Sequence, residues 1–438
     1  MRVLQHSNCA KKMREIKKTL ERLAGGEKVA LWGRGASTAS VEKLFAKADI
    51  ECVYYSDNPT DKKFDFSEAK KHRLAVYSPA FQSSNKFFEA AKAENVATLG
   101  EPDIAGKCWK GKIVAISGTN GKTTLTSFLT LALNNAGFNA ISAGNIGTPL
   151  CEFVESECET RTAVLELSSF QTMRLKYLHP DAYIWTNFAP DHLDWHKDMR
   201  EYFLAKLNLA KMLKKDIFIA GKSVYDFAKS EGIKLPDFLK IAEKSQAENP
   251  PPPFDNSIQS ENFAMAKAFW KVWSLDEQIL ENSAKSFSLS KFRFAKTAEI
   301  GKVGFWNDSK ATNAHAAIAA LRELKGKKVF WIGGGKNKNC DLKELAQTVR
   351  ECADGACLIG QTAEILKNEI KSLKNGIFTC QTLEEAVKIA FEKSKNGGNV
   401  LFSPSFSSFG MFKNYAERGR AFDAEVLKLK EFQHNNTK

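Results

Sequence analysis

Short apolar runs recur along the chain. Each stops at a glycine or a polar residue and is followed by a segment whose apolar positions return every three or four residues. "KVALW", "ECVYYSD" and "RLAVYSP" come first, then "GKIVAIS", "TAVLELSSF" and "DAYIWTNF", and finally "KVFWIGG", "ACLIG" and "NVLFSPS". Continuous apolar runs of this length bounded by turn residues predict buried strands, and the intervening period predicts amphipathic helices. Strand and helix alternating in this way predict an α/β fold in three consecutive units, with ligands at the carboxyl ends of the strands. No repeat of fixed period is present. "AENPPPPFDN" has four adjacent prolines, which cannot pair inside a sheet, and reads as a loop within the second unit. The helix pattern "SENFAMAKAFWKVW" after it is expected to belong to that same unit.

Composition narrows the class. The 438 residues are 43% apolar and 26% charged, enough for two or three domain cores. No apolar run is long enough to span a membrane, and the charged start "MRVLQHSNCAKKMREIKKTL" lacks the apolar core of a signal peptide. The nine cysteines are scattered and odd in number, which predicts reduced thiols. The net charge of +13 is spread along the chain rather than gathered into a basic arm, so no nucleic-acid partner is expected.

The candidate chemistry centres on "VAISGTNGKTTLTSFL", where a strand runs through glycines into a helix. Gly118, Thr119, Asn120, Gly121, Lys122, Thr123 and Thr124 can wrap backbone N–H groups around phosphate oxygens. Lys122 supplies a positive charge there, and Thr123 a hydroxyl for Mg²⁺. Ile116 stands where the usual motif has its first glycine, so the loop is a shortened variant; a plain glycine turn into a helix fits the same letters. Glu166 ends the run "TAVLE", where it can reach a metal or simply be solvated. "DHLDWH" places His192 and His196 at the i, i+4 spacing of a helical metal pair, but local capping explains the cluster equally well. Gly33, Gly35 and Thr38 after "KVALW" form an incomplete dinucleotide fingerprint, with Asp57 24 residues beyond Gly33.

"GTNGKTT", "LELSSFQ", "PDHLDWH", "NDSKATN" and "SPSFSSFGMFKNYAERGRAF" occur in that order. Together they resemble the Mur ligase family of peptidoglycan synthesis over nearly the whole chain. "LELSSFQ" and "NDSKATN" resemble the branch that adds D-glutamate to UDP-N-acetylmuramoyl-L-alanine. The resemblance implies a Rossmann-like UDP-sugar-binding domain over 1–104 and a central P-loop ATPase-like domain with a mostly parallel sheet over 105–289. A Rossmann-like amino-acid-binding domain over 290–438 completes the chain.

The family also implies ATP, two Mg²⁺ ions and a cytoplasmic monomer. It implies that Lys122 meets the transferred phosphate, that Thr123 and Glu166 hold one ion, and that His192 and a carbamylated Lys206 serve the other. Read from the residues alone, Lys206 is an exposed helix lysine. Asn262, Arg293, Asp308 and Lys310 match positions at ATP; Thr312, Lys338, Ser408, Phe409 and Tyr415 match positions at D-glutamate. Asn145 matches a muramoyl contact, while Gly33, Gly35, Thr38, Asp57, Ser78 and Pro79 fall at the UDP group. Two departures stand out. Met265 replaces an asparagine of the adenine stretch, and Asn337 stands where an aspartate is common. Two further readings share the phosphate loop: a ligase resembling folylpolyglutamate synthase, and a P-loop ATPase acting on nucleic acid.

Overall fold

The computed structural model describes residues 2–154, 161–247, 249–336 and 341–436. Its first sheet has β1 (Val29–Trp32), β2 (Cys52–Tyr55), β3 (Leu74–Tyr77) and β4 (Ala97–Gly100), all parallel, in the order β2-β1-β3-β4. The second has β5 (Lys112–Ser117), β6 (Ala140–Gly144), β7 (Thr162–Glu166), β8 (Ala182–Trp185), β9 (Phe218–Gly221) and β10 (Leu239–Ala242). These are also all parallel, in the order β10-β9-β8-β5-β7-β6. The third has β11 (Ala295–Ile300), β12 (Val303–Asn307), β13 (Val329–Gly334), β14 (Gly355–Ile359), β15 (Ile377–Cys380) and β16 (Gly398–Phe402). Its order is β11-β12-β16-β13-β14-β15, with only β11 antiparallel.

Every residue of β1, β3, β8 and β13 is buried. This explains why these strands read as unbroken apolar runs: crossover helices cover both faces of a parallel sheet, so neither face alternates with water. In the second sheet the central strand β5 is flanked by β7 and β8, so the turns leaving three neighbouring carboxyl ends converge.

The chain forms two compact units. One comprises residues 1–188, 200–251 and 261–287 and carries the first two sheets; the other comprises 189–199, 252–260 and 288–438 and carries the third. The proline-rich stretch therefore does not lie wholly in the second block as expected. From Pro252 to Ser260 it packs with the C-terminal unit, where the Ser257 N–H donates to Glu323 Oε2 at 3.1 Å. The helix Ser260–Val272 returns to the first unit from Glu261 onward, as its apolar face required. A helix at Arg2–Ala24, not foreseen from the sequence, buries Ile16, Leu20 and Ala24 at i, i+4 spacing. Among the described residues no helix is long and apolar enough to cross a membrane.

Two buried carboxyls in the helix Glu101–Cys108 join the first sheet to the second within their unit. Glu101 Oε1 accepts the Cys151 N–H at 2.7 Å, and Asp103 Oδ1 accepts the N–H groups of Lys176 and Tyr177 at 2.9 and 2.7 Å. Burial pushes the Glu101 carboxyl up to about 7, against the opposing pull of the Cys151 N–H. The folded chain thus keeps this proton at a pH where the unfolded chain has released it, and stability falls as pH rises from about 4.5 to about 7. Glu101→Gln, which has no proton to lose, should therefore show a smaller drop in Tm between about pH 5 and about pH 8 than the natural chain, measured by thermal denaturation. Equal drops would show that Glu101 is ionised throughout.

Candidate active site

From Ser117 at the end of β5 the chain bends through residues 118–121 and enters the helix Lys122–Asn135. Two glycines are obligatory here. Gly118 has φ +148° and a Cβ would fall 1.9 Å from Thr186 Oγ1; Gly121 has φ +83° and a Cβ would fall 2.5 Å from Asn262 Oδ1. The bend is braced by the turn that leaves β8. Asn187 accepts the Thr119 N–H on its carbonyl at 3.1 Å and the Asn120 N–H on Oδ1 at 2.9 Å, while Thr186 Oγ1 donates to the Asn120 carbonyl at 2.6 Å. Thr119 Oγ1 lies 3.2 Å from the Tyr202 hydroxyl. Lys122 Nζ donates to the carbonyls of Gly118 and Thr119, both at 2.7 Å, so its charge rests on the loop it would serve. Thr123 is half-buried and Thr124 buried. Asn262 is buried against Gly121, and Met265 is buried with its Cε towards Gly221.

Glu166 pairs in register with Ile116 of β5, which puts it beside the loop. Its side chain is buried. Oε1 accepts from Asn145 Nδ2 at 2.9 Å, and Oε2 has no protein partner. The expected muramoyl contact Asn145 thus lies on Glu166, which also accepts the Asn145 N–H on its backbone carbonyl at 2.9 Å. A buried carboxylate oxygen left open on the strand next to the glycine bend fits Mg²⁺, a hard ion that takes one or two carboxylates and fills its shell with other oxygens and water. Among the described residues no three His, Cys, Asp or Glu side chains converge.

Lys206 corrects the residue-level expectation of an exposed lysine. It is buried, donating from Nζ to Gly118 O at 2.9 Å and Ser117 Oγ at 3.2 Å, with the Tyr202 ring 5.0 Å away. The helical metal pair is likewise corrected. Residues 191–198 form turns, with His192 at φ +57° and its carbonyl accepting the His196 N–H at 2.9 Å. His196 is buried against Trp195, whereas His192 is about one-third exposed. Asp191 stands behind His192: Oδ1 accepts the His192 N–H at 2.8 Å and Oδ2 lies 3.7 Å from Nε2. Asn313 Nδ2 donates to that same Oδ2 at 2.9 Å.

In the C-terminal unit, Asp308 is buried with both oxygens engaged, accepting the Phe294 N–H at 3.0 Å and Ser403 Oγ–H at 2.8 Å. Burial raises its carboxyl to about 7, against these two bonds and the nearby arginines Arg293 and Arg418. Lys310 Nζ sits 3.7 Å above the Tyr415 ring; Thr312 follows it, half-buried, before the helix Ala314–Glu323. Arg293 Nε donates to Ser290 Oγ at 2.7 Å. Ser408 is buried and Phe409 is 59% exposed. Lys338 and Asn337 lie outside the described residues.

In the first sheet, Gly33 (φ +86°) abuts Ser78 and Phe81, and Thr38 Oγ1 donates to Gly33 O at 2.8 Å while accepting the Gly35 N–H at 3.2 Å. Ser78 and Pro79 follow β3, and a cavity of about 400 Å³ opens beside them, lined by Ser56, Asp57, Phe81, Gln82 and Asn85 among others. Asp57 Oδ2 accepts from Asn85 Nδ2 at 2.6 Å. Three residues that sequence reasoning did not single out matter to these sites: Asn187, Tyr202 and Arg418. Asn187 had a signal, being a polar residue directly after an apolar strand; for the other two only the fold reveals their partners.

The Mur ligase middle domain matches residues 116–321 and the Mur ligase glutamate ligase domain matches residues 292–406. A UDP-N-acetylmuramoylalanine--D-glutamate ligase of Aquifex aeolicus is 32% identical, over 90% of this chain and 97% of the relative. A relative of the same name from Thermoanaerobacter pseudethanolicus is 30% identical over 92% and 99%. Among solved structures, the fold is shared with a UDP-N-acetylmuramate-alanine ligase of Thermotoga maritima at TM-score 0.58 and 15% identity, over 92% of this chain and 100% of that one. Folylpolyglutamate synthase of Mycobacterium tuberculosis shares it at TM-score 0.55 and 11% identity, over 74% of this chain and 92% of that one. With relatives at this identity along nearly the full length, the chain belongs to the Mur ligase family, ATP-dependent amide-bond ligases of peptidoglycan precursor synthesis.

Proposed function

We propose that this chain joins D-glutamate to the L-alanyl carboxyl of UDP-N-acetylmuramoyl-L-alanine, with ATP activating that carboxyl as an acyl phosphate, in the cytoplasm. The observation that carries the reading is the glycine bend set beside a buried carboxylate with one open oxygen, Glu166 Oε2. The D-glutamate ligases that match 90% and 92% of this chain support the choice of substrates.

The difficulty of the first step is electrostatic. A carboxylate must approach a triphosphate, and both are anionic. The N–H groups at the start of the helix Lys122–Asn135 face the phosphates, and Lys122 exchanges the carbonyls of Gly118 and Thr119 for phosphate oxygens. Thr123 and Glu166 would hold Mg²⁺, which when bound screens the phosphate charge. The alanyl carboxylate oxygen bonds to the γ phosphorus as the bond to ADP breaks. The D-glutamate amine then bonds to the acyl carbon, phosphate leaves, and the nitrogen sheds a proton. Rate enhancement on this route is mostly positioning and charge neutralisation.

His192, with Asp191 behind it, and Lys206 are the proposed ligands of a second ion. As a neutral amine, the Lys206 nitrogen bonds to the carbon of CO₂ and loses one proton, leaving a carboxylate-ended side chain where the amine now touches Gly118 O. On the C-terminal unit, Thr312, Ser408, Phe409, Tyr415 and Lys338 are assigned to D-glutamate, and Lys310, Asp308 and Arg293 to ATP.

Phosphate release should require ATP, the muramoyl substrate and D-glutamate together, with L-glutamate inactive, in a coupled phosphate assay. Equal release without the muramoyl substrate would sink the reading. Lys122→Ala and Glu166→Ala should each lower kcat by roughly a hundredfold or more. Asn187→Ala, which frees the Asn120 N–H of the bend while the backbone carbonyl keeps that of Thr119, should raise the KM for ATP about tenfold with a smaller change in kcat. Lys206→Ala should be inactive and recover activity with added short-chain carboxylic acids; no recovery at any concentration would count against the carbamate.

A further inference from the structure

Arg418 is almost fully buried, at 1% exposure, within the helix Tyr415–Asn436. Its guanidinium spans two separate segments. Nε donates to Ser309 Oγ at 3.1 Å and Nη2 to Ser309 O at 2.8 Å, while Nη1 donates to Phe406 O at 2.9 Å. Ser309 belongs to the turn that carries Lys310 and Thr312; Phe406 belongs to the loop that carries Ser408 and Phe409. We propose that Arg418 is a positioning residue that sets the register between these two segments and thereby the affinity for the amino-acid substrate. The inference rests on the D-glutamate reading above.

The surrounding bonds show how closely that register is held. Ser309 Oγ, while accepting from Arg418, donates to the Tyr415 carbonyl at 2.8 Å, which fixes the start of the helix whose ring lies under Lys310. Asn307, two residues earlier at the end of β12, donates to Gly419 O at 2.9 Å and Asp423 Oδ1 at 2.7 Å and accepts the Ser309 N–H at 3.1 Å. A Cβ on Gly419 would fall 2.5 Å from the Phe292 ring, so the helix backbone packs directly on that ring. On the far side, the Ser407 carbonyl accepts the Lys336 N–H at 3.1 Å. A planar fork with donors at fixed angles can satisfy Ser309 and Phe406 at once; an ammonium on a flexible stem cannot reproduce that geometry, and an apolar side chain supplies no donor. Burying a guanidinium among one hydroxyl and two carbonyls is costly, with Asp308 the nearby compensating charge. A methionine of similar length would fill the same space, so packing alone does not account for an arginine here.

The test is steady-state kinetics of the full-length enzyme carrying Arg418→Lys, Arg418→Met or Ser309→Ala, with trapping of the acyl phosphate by hydroxylamine in the absence of amino acid. Arg418→Lys should raise the KM for D-glutamate roughly 30-fold, with the KM for ATP and the yield of trapped hydroxamate within about threefold of the natural enzyme. Ser309→Ala, which loses only the hydroxyl, should raise the KM for D-glutamate by about five-fold and serves if the arginine variants do not fold. A folded Arg418→Lys or Ser309→Ala enzyme with unchanged KM for D-glutamate overturns the proposal, as does an equal rise in both KM values. A natural enzyme that shows no phosphate release dependent on D-glutamate overturns instead the reaction proposed above.

Discussion

The proposed chemistry depends on a stretch of backbone that would offer N–H groups to an anion at a place where side chains would be in the way. Residues 118–121 meet that constraint by having no Cβ at the two points where Thr186 and Asn262 close in. The neighbouring turn then serves as a template. Asn187 takes up two N–H groups of the bend, and Thr186 holds one of its carbonyls. A loop braced in this way would spend little conformational entropy on binding an anion. The helix that follows adds the positive end of its dipole to the same spot.

Within each unit the polar groups singled out above are buried and mostly matched. Glu166 is held by Asn145 on one oxygen, Lys206 by Ser117 and Gly118, Asp191 by Asn313 and Asp308 by Ser403 and Phe294. Matched burial removes most of the desolvation cost and leaves each group in one orientation. Against that background the open oxygen of Glu166 is informative, because an unmatched carboxylate oxygen in the interior costs free energy unless a ligand completes it. The C-terminal unit uses the same device for geometry rather than charge: Arg418 draws Ser309 and Phe406 onto one fork.

Much of the architecture was legible because parallel strands under two layers of helix must be apolar throughout. Among the described residues that pattern marked nine of sixteen strands and placed the candidate phosphate loop, "PDHLDWH" and "SPSFSSFG" beyond three of them, whereas "NDSKATN" follows the unmarked β12. It did not mark β4, β6, β9, β10, β11, β12 or β15, each of which is four residues long or partly exposed, nor the helix Arg2–Ala24, whose buried stripe is only three residues in the described part. The histidine spacing of "DHLDWH" suggested a helix. The left-handed backbone at His192 decides otherwise, and a period of four is also the period of a single closed turn.

Sequence alone determined the glycine bend after β5, because only glycine tolerates the backbone and the close approach found at Gly118 and Gly121. It determined the strands for an equally local reason, since burial on both faces leaves no polar positions. What tertiary structure decided was everything that depends on partners far apart in the chain. Lys206 looked solvated until it was found on Gly118, 88 positions away; Arg418 was one charge among many until Ser309 and Phe406 closed around it. The physical reason is that a charge is tolerated inside a protein only when distant dipoles converge on it, and no local pattern of letters records that convergence.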